Sequence, residues 1–380
     1  MTVPKPRTKR AAAPRKVVPG KGRLTVIGAR PLVAETPESL LDDDTTPTAR
    51  FFVRNNGLLP ARTRQAERWT VTIEGEVEQP LTLTLAELKK NFAPVTSRLL
   101  LECGGNGRSF FSPRAKGVQW THGGAGCPEW TGVRVADVRA AARLKPSALF
   151  SGHYGVDPTL SGSTRKPAMS RGVPIAKLLD DSNLIAWAIN GEPLPLLHGF
   201  PLRLVIPGWP ASISTKWLTR IWIRDRYHDG PGMGGESYRV PVKPVRPGEP
   251  VDLDNLVDLE SMPVRSIISR PADAARFAAG TRVVELRGAA WAGDHTVARV
   301  DLSIDGGATW RAADLAPLRN RHDWQRWTAK LSFPSDGYFE ILSRATDSRG
   351  VMQPYRVANW NPHGYGGNPM HRIAIRIGRS

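Results

Sequence analysis

Cysteine is nearly absent from this chain of 380 residues, which contains only Cys103 and Cys127. No CxxC, CxxCH or Cys/His cluster occurs, and this excludes a zinc site, an iron–sulfur cluster and a covalently attached haem. The composition is also not that of a protein held together by several disulfides. A disulfide between the two cysteines stays open at this stage, although nothing in the composition favours it.

Long apolar runs are absent as well. The longest stretches, such as LIAWAI and LRLVIPGW, are much shorter than the ~20 residues that a membrane-spanning helix needs. We therefore expect no membrane span. A length of 380 residues is enough for a large hydrophobic core and for two domains.

Acidic residues are missing from residues 1–24, which hold eight Lys or Arg in a chain of formal net charge +18. This segment is rich in Pro and Ala and has no hydrophobic periodicity, so we expect it to be disordered. It lacks the apolar stretch of an export signal, which predicts a cytoplasmic protein, with the periplasm as the alternative. The segment either serves solubility or binds anions or nucleic acid.

The first half of the chain alternates between strand-like and helix-like patterns. The stretch WTVTIEGEV (69–77) alternates apolar and polar residues, as a half-buried strand does. Thr84 and Glu87 have the spacing of a capping box ahead of a short helix. Residues 95–102 are typical of a buried strand, and residues 133–144 of a second helix. These patterns predict a mixed α/β or α+β domain.

A proline-rich stretch separates this region from the rest of the chain. Residues 239–263 contain five prolines without a clear period, which predicts an extended linker. From about residue 264, short strand patterns follow one another with turn residues between them, as in an immunoglobulin-like sandwich. The predicted fold class is therefore α+β, with a basic tail and lead-in (1–46), a mixed α/β domain (47–255) and an all-β domain (256–380).

Cys103 lies at the end of an apolar run, in the stretch LECGGNGR. The glycines allow a ligand to approach the main chain closely, and the charge of Arg108 favours the thiolate form of the cysteine. A thiolate acts either as a nucleophile or as a ligand for a soft metal. His122, His153 and His198 do not form a recognisable cysteine-hydrolase arrangement with it, and inert packing is the third alternative.

Two further stretches carry cations in unusual settings. Arg54 lies in the aromatic-flanked run FFVRNN, where it is equally compatible with an edge-strand charge. His198, Arg203 and Lys216 surround a strand and a Ser/Thr loop in HGFPLRLVIPGWPASISTKW. Cationic side chains beside hydroxyl groups suit a bound phosphate, although such a loop also occurs as ordinary structure.

Six stretches occur in the order found in the sulfite oxidase family of molybdenum enzymes, which the chain resembles over about residues 47–380. The matching stretches are FFVRNN, LLLECGGNGRSFF, GVQW, EWTGVRVADV, INGEPLPLLHGFPLRLVIPG and KWLTRI. The later stretch VDLSIDGGATW resembles the dimerisation domain of that family. The resemblance implies a molybdopterin-binding domain, a dimerisation domain, one molybdenum per chain and a homodimer.

The resemblance also implies roles for individual residues. Cys103 falls on the thiolate that ligates molybdenum, while the pterin dithiolene and oxo ligands fill the other positions. Arg54 and Arg108 match arginines that hold an oxyanion substrate through paired hydrogen bonds, and Trp120 matches a residue that lines the pocket. The positions that match cofactor-binding segments are Phe52, Val53, Arg54, Asn55, Asn56, Asp157, His198, Arg203, Ser214, Thr215 and Lys216.

Two positions depart from the pattern of the family. In LIAWAINGEPLP, Trp187 is expected beside the metal, where sulfite-oxidising members usually have a tyrosine. An indole N–H can only donate a hydrogen bond, whereas a tyrosine hydroxyl donates and accepts. The alternative is a core tryptophan with no catalytic consequence. Arg326, in WQRW, is a second candidate for the substrate pocket, one position away from an arginine that some members place there.

The function implied by the resemblance is oxidation of sulfite to sulfate by oxygen-atom transfer, with electrons passed to an external acceptor such as cytochrome c. No haem and no iron–sulfur cluster are expected. A reductase of a sulfoxide, nitrate or another oxo-compound is the alternative within the same fold, and Trp187 is the reason to consider it. A basic protein that binds nucleic acid or a protein partner is the third hypothesis and the least favoured.

Overall fold

We analysed a computed structural model, which describes residues 18–378 of the chain. Within this range the structure is mainly β, with three short α-helices, Leu85–Asn91 (α1), Val135–Ala142 (α2) and Ile175–Leu178 (α3). None of the helices in the described range is long and apolar enough to cross a membrane. The first 17 residues of the predicted disordered segment lie outside the described residues.

The N-terminal region contains fifteen of the strands in the described range. They are β1 Thr25–Ala29, β2 Leu32–Glu35, β3 Val53–Arg54, β4 Thr70–Gly75, β5 Leu81–Thr84, β6 Val95–Arg98, β7 Leu101–Glu102, β8 Ala125–Gly126, β9 Glu129–Arg134, β10 Phe150–Gly155, β11 Ser170–Pro174, β12 Leu184–Ile189, β13 Glu192–Pro193, β14 Arg203–Val205 and β15 Leu218–Arg224. The predicted strand 95–102 is thus divided into β6 and β7. The predicted helix 133–144 begins two residues later, because β9 continues to Arg134.

Two sheets form the body of this region. The first has the order β11-β10-β15-β4-β5, with β15 and β4 parallel and the other pairs antiparallel. The second has the antiparallel order β13-β12-β9-β6, with β14 also paired to β12. One apolar core takes side chains from both sheets and from all three helices, including Ile73, Leu88, Val138, Leu178 and Ile185.

Helix α1 begins where the sequence predicts. The Thr84 side chain accepts a hydrogen bond from the Glu87 N–H (3.1 Å), and the Glu87 carboxylate accepts one from the Thr84 N–H (2.8 Å). This capping box satisfies two N–H groups that the first helical turn leaves without partners. Leu85 and Leu88 then lie on the buried face of the helix.

The segment ahead of residue 47 is folded where the structure describes it, which differs from the predicted disorder of residues 18–24. Strands β1, β2 and β3 form a small antiparallel sheet. Val18 and Leu24 are buried in a cluster with Ala34 and Val53. The burial of these apolar side chains explains why the segment is folded. The high charge of the segment had favoured a prediction of disorder.

The predicted linker contains a short ladder rather than an entirely extended chain, because β16 (Arg239–Pro241) pairs antiparallel with β17 (Leu256–Asp258). The C-terminal region that follows is built from strands alone within the described residues. These strands are β18 Arg265–Arg270, β19 Ala275–Phe277, β20 Val283–Trp291, β21 Val297–Ser303, β22 Arg311–Ala312, β23 Asp314–Leu315, β24 Gln325–Ser332, β25 Gly337–Asp347 and β26 His371–Ile377.

Two sheets enclose the core of the C-terminal region, with the orders β18-β20-β24-β23 and β19-β26-β25-β21-β22. Strand β24 illustrates the pattern, since Trp327, Ala329 and Leu331 are buried while Thr328 and Lys330 are exposed. Period-two alternation of this kind buries one face of each sheet. The region is therefore a two-sheet structure around one core.

Candidate active site

A cleft with about 750 Å³ of empty space lies in the N-terminal region. Side chains from well-separated parts of the sequence line it, because the turns after β3, β7, β10 and β14 meet there. The lining residues are Phe51, Phe52, Arg54, Asn56, Leu101, Cys103, Asp157, Met169, His198, Arg203, Ala211, Ser212, Ser214, Thr215, Lys216, Trp217 and Tyr238.

The cleft brings together most of the predicted site. Ten predicted residues line it: Phe52, Arg54, Asn56, Cys103, Asp157, His198, Arg203, Ser214, Thr215 and Lys216. Val53 and Asn55 do not, because neighbouring strand residues face opposite ways. Val53 is buried against the N-terminal sheet, and the side-chain oxygen of Asn55 accepts a hydrogen bond from Lys216.

Cys103 presents a buried thiol to the cleft, with 6% of the residue exposed. Burial raises the pKa of the Cys103 thiol, while the charges of Arg54 and Arg108 act in the opposite direction. The expectation that Arg108 favours the thiolate therefore has the right sign, but desolvation outweighs it. Binding of a metal cation would displace the thiol proton, since the thiolate is the ligand form.

Buried cations dominate the far side of the cleft. The Arg203 guanidinium donates to the main-chain oxygens of His198 (3.0 Å) and Ser214 (3.1 Å), and burial lowers its pKa to about 9. Lys216 donates to the main-chain oxygen of Leu197 (3.0 Å), and burial lowers its pKa well below the usual value. Asp157 is the single acid among the lining residues of the described chain.

This imbalance of charge indicates an anion site. The buried cations outnumber the one lining acid, Asp157, so an anion in the cleft would compensate for their desolvation. Ser214 and Thr215 lie in the same loop and line the same cleft. The donor set fits the phosphate of a pterin cofactor, and the Cys103 thiol fits a soft metal carried by that cofactor.

Arg108 and Trp120 lie next to the cleft but do not line it. Arg108 is buried and donates from Nε to the main-chain oxygen of His363 and from Nη1 to that of Val118 (2.8 Å). Trp120 is fully buried in the apolar cluster that contains Cys103, and its ring meets Phe52 edge-on at 5.8 Å. The indole N–H of Trp120 has no hydrogen-bond partner among the described residues.

The structure does not place Trp187 beside Cys103. Trp187 packs against the core between the two sheets, and Lys89 Nζ lies 5.8 Å from its ring centroid. Along β12, Leu184 and Ala186 face the Cys103 cluster, whereas Ile185 and Trp187 face the opposite core. The expected position of Trp187 is therefore wrong, and strand alternation is the physical reason.

Tyr238, which no sequence pattern indicated, lines the cleft instead. Its ring would lie 3.4 Å from a Cβ on Gly104, next to Cys103. The Tyr238 hydroxyl makes one weak contact, 4.0 Å to the Met169 sulfur, which leaves it available to a ligand. Tyr238 immediately precedes the proline-rich stretch and lies in no periodic pattern, so the sequence offered little signal.

Two aromatic rings and two cations form a stack across the two regions of the chain. The Arg171 guanidinium lies 4.4 Å from the Tyr238 ring, and Tyr238 stacks on Tyr365 with centroids 4.8 Å apart. The Arg108 guanidinium lies 5.1 Å from the other ring, that of Tyr365. Cation–π and stacking contacts fix the position of Tyr238 beside Cys103.

The glycines after Cys103 accommodate protein rather than a cofactor, which corrects the interpretation of LECGGNGR. The loop between β25 and β26 crosses this turn, and the Gly366 N–H donates to the Gly104 main-chain oxygen (3.0 Å). A Cβ on Gly107 would lie 2.1 Å from the Gly367 oxygen. Tyr365 reaches the site on this loop, so the C-terminal region completes its wall.

A buried ion pair also links the turn after Cys103 to the C-terminal region. Arg265 in β18 donates to Glu102 in β7 (2.8 Å), and both side chains are essentially inaccessible. Arg265 also donates to the main-chain oxygens of Asn106 and Gly367, and Trp291 donates to Glu102 (2.7 Å). These bonds satisfy the buried charges from both regions of the chain.

Arg326 does not enter the cleft. It donates to the main-chain oxygens of Leu41 (3.0 Å) and Asp42 (3.2 Å) at the junction of the two regions.

Both cysteines are free, so no disulfide joins Cys103 and Cys127. Cys127 lies away from the cleft, with its sulfur 3.2 Å from an oxygen of Asp323.

One group of side chains has the spacing of a second metal site, since ligand atoms of Glu38, His122 and His371 all lie within 4.8 Å of one another. However, Arg265 donates to Nδ1 of His122 (3.2 Å), and the Ile268 N–H donates to Nδ1 of His371 (3.1 Å). A ring nitrogen that accepts a hydrogen bond carries no proton, so the proton of each ring lies on Nε2, which leaves no lone pair for a metal. His371 Nε2 faces Glu38 at 3.3 Å, which makes this a hydrogen-bonded pair.

Comparisons with known proteins show the family of both regions of the chain. Residues 57–231 match the family model of the oxidoreductase molybdopterin binding domain, and residues 257–378 match that of the Mo-co oxidoreductase dimerisation domain. Sulfite oxidase of Gallus gallus is 31% identical over 362 residues, which cover 92% of this chain and 77% of that protein. Mitochondrial sulfite oxidase of Homo sapiens is 32% identical over 376 residues and is covered over 66% of its length.

A solved structure supports the same assignment. The sulfane dehydrogenase SoxCD from Paracoccus pantotrophus superposes with a TM-score of 0.76 and 25% identity, over 93% of this chain and 88% of that chain. The fold and site define a molybdopterin-dependent oxidoreductase. The chain belongs to the sulfite oxidase family of these enzymes. It spans about two thirds of the length of its mammalian relatives.

Proposed function

We propose that this chain oxidises sulfite to sulfate. Sulfite and water give sulfate, two protons and two electrons, and the electrons pass singly to an external acceptor such as a c-type cytochrome. The observation that carries the proposal is the cleft itself, which combines a single buried thiol, Cys103, with the Arg54 cation and the hydroxyl of Tyr238. A soft metal ligand beside donors for an oxyanion suits the oxidation of a small sulfur oxyanion.

The molybdenum cofactor, when bound, supplies two-electron oxygen-atom transfer. In this proposal Cys103 ligates the metal, and His198, Arg203, Ser214, Thr215 and Lys216 hold the phosphate and pterin. Asp157, which lines the same cleft, would accept hydrogen bonds from donor groups of the pterin. Phe52 and Asn56 complete the wall of the cofactor cleft. Val53 and Asn55 do not line the cleft and stabilise the strand that carries these residues.

Substrate binding falls to the residues around Cys103. Arg54 supplies a guanidinium that lines the cleft and acts electrostatically on the Cys103 thiol. Arg108 has two of its nitrogens engaged by main-chain oxygens, so its charge contributes while its position is fixed by the protein. A fixed cation does not need to reorganise when an anion arrives, which lowers the cost of binding.

The reductase alternative loses the observation that motivated it, because Trp187 faces the opposite core and Tyr238 lines the cleft. No feature of the described residues favours a nucleic-acid-binding protein. Four further points stay proposals from the sequence. They are a homodimer through residues 256–380, an immunoglobulin-like topology of that domain, the domain bounds 1–46 and 47–255, and the cytoplasmic location.

The proposal is tested by sulfite-dependent reduction of ferricyanide or cytochrome c, measured per molybdenum atom. We expect saturable turnover with sulfite, and no oxidation of reduced viologen by nitrate or a sulfoxide. Arg54→Gln is expected to raise KM for sulfite by about 10- to 100-fold, the effect of losing one charge-assisted hydrogen bond. A molybdenum-loaded enzyme without sulfite activity contradicts the proposal.

Substitutions at Tyr238 and Trp187 test which of the two residues acts beside the metal. Tyr238→Phe is expected to lower kcat/KM for sulfite by about 10- to 100-fold, because it removes one hydrogen bond to a charged substrate. Trp187→Tyr, which introduces a hydroxyl in the opposite core, is expected to leave kcat/KM within about 2-fold. The reverse pattern in steady-state assays shows that Trp187 rather than Tyr238 acts at the metal.

A further inference from the structure

Lys21 lies in a fixed turn next to the cofactor cleft. Its N–H donates to the Val18 oxygen (3.0 Å), and the next N–H, that of Gly22, donates to the Ala49 oxygen (2.9 Å). Val18 and Leu24 are buried on either side of it. Burial of these neighbours fixes the main chain that carries the lysine.

The ammonium group of Lys21 has all of its hydrogen bonds filled. It donates to the main-chain oxygens of Thr48 and Phe51 (3.0 Å) and to Nε2 of His198. A lysine ammonium has three donors, so none remains for a group in the cleft. Lys21 does not line the cleft, whereas His198 does, and Lys21 therefore acts through His198.

The contact with Lys21 determines where His198 carries its proton. His198 is 2% exposed, and burial, followed by the charges of Lys21 and Lys216, holds its pKa well below the usual value. The ring is therefore neutral, and its Nε2 accepts the bond from Lys21. With Lys21 as the donor to Nε2, the proton of the neutral ring lies on Nδ1.

We propose that Lys21 is a positioning residue for the cofactor, because it holds His198 in the tautomer whose Nδ1–H donates to a phosphate oxygen of the bound pterin. This inference rests on the proposed function, since it requires a pterin phosphate in the cleft. It also assigns a role to the segment ahead of residue 47, which is to fix the donor pattern of the phosphate site.

Burial of Lys21 supports the inference. Burial lowers the pKa of Lys21 to about 7, and no carboxylate within residues 18–378 compensates for its desolvation. A phosphate held by His198 would supply the missing negative charge within a few ångströms. Cofactor and lysine would then stabilise each other, although they do not touch.

The test compares wild-type holoenzyme with Lys21→Met, Lys21→Arg and Lys90→Met, the last an exposed lysine of α1. Pterin and molybdenum per chain are measured at intervals during dialysis, and circular dichroism checks folding. We expect Lys21→Met to lose pterin about 10- to 100-fold faster than wild type, as expected for one hydrogen bond to a charged group. Lys21→Arg, which keeps cationic donors, should recover part of the retention, and Lys90→Met should match wild type.

A second readout follows the tautomer directly. In ¹⁵N-histidine-labelled wild type, the imidazole signals assigned through His198→Gln should show protonation of Nδ1, and Lys21→Met should shift the proton to Nε2. Protonation of Nε2 in wild type overturns the inference, even where the Lys21 variants fail to fold. Equal pterin retention in Lys21→Met and Lys90→Met overturns it as well. Absence of pterin from wild type contradicts the proposed function instead.

Discussion

Replacement of Cys103 by serine is expected to lower sulfite oxidation per chain by more than about 100-fold, which exceeds the usual effect of losing an outer contact of a metal site. A serine hydroxyl is a harder and far less acidic donor than a thiol, so it is a poor ligand for a soft metal. Cys103 is also buried, and in the described part of the chain Met169 carries the one other sulfur that lines the cleft. The measurement is ferricyanide reduction together with molybdenum and pterin analysis of the purified protein.

Cys127→Ser is the matched control for this experiment. Cys127 is also buried, but its sulfur faces Asp323 at 3.2 Å, away from the cleft. A serine hydroxyl can donate the same hydrogen bond, so we expect activity within about 2-fold of wild type. Pterin should still bind to Cys103→Ser, since the phosphate donors are intact. A Cys103→Ser enzyme with full molybdenum and full activity would falsify the assignment of the ligand.

Replacement of Gly107 by alanine is expected to have the second large effect. Gly107 has a φ of +84°, and an added Cβ would lie 2.1 Å from the Gly367 oxygen. The left-handed backbone costs about 1 kcal/mol for alanine, and the clash with main chain adds about 1–3 kcal/mol. The loop between β25 and β26 must then move away from the turn after Cys103, which displaces Tyr365 from Tyr238. We expect a lower midpoint of urea unfolding and a loss of sulfite turnover.

Gly162→Ala separates the clash from the backbone effect. Gly162 has nearly the same φ, +85°, but no atom lies within 4 Å of the position of its Cβ. We expect this variant to lose about 1 kcal/mol of stability and to keep its activity. Equal losses in the two variants would show that the crossing of the C-terminal loop does not stabilise the site.

Local patterns in the sequence were sufficient for several elements of the fold. The Thr84 and Glu87 capping box forms as predicted, because both partners lie within one helical turn. The predicted strand 69–77 corresponds to β4, and the region after residue 264 is all strand within the described range. The order of residues 18–24 was missed, since the charge of the segment suggested disorder whereas Val18 and Leu24 are buried against residues distant in the chain.

The same holds for the candidate site, where sequence motifs indicated some of the residues and missed others. The resemblance of six ordered stretches was enough to indicate the family and ten residues that line the cleft. It failed for Trp187, because a motif assigns a residue to a strand but not to one of its two faces. It also missed Arg171 and Tyr238, whose stack with Tyr365 and Arg108 joins four positions far apart in the chain.

The order of residues is enough to show which groups are available: one thiol at the end of an apolar strand, a set of cations in motifs, and two regions of different secondary structure. Which of these groups meet, and what the glycines after Cys103 accommodate, depends on how the chain folds. Motifs and periodicity reflect interactions between residues close in the chain, whereas burial, side-chain facing and the crossing of two loops depend on long-range packing.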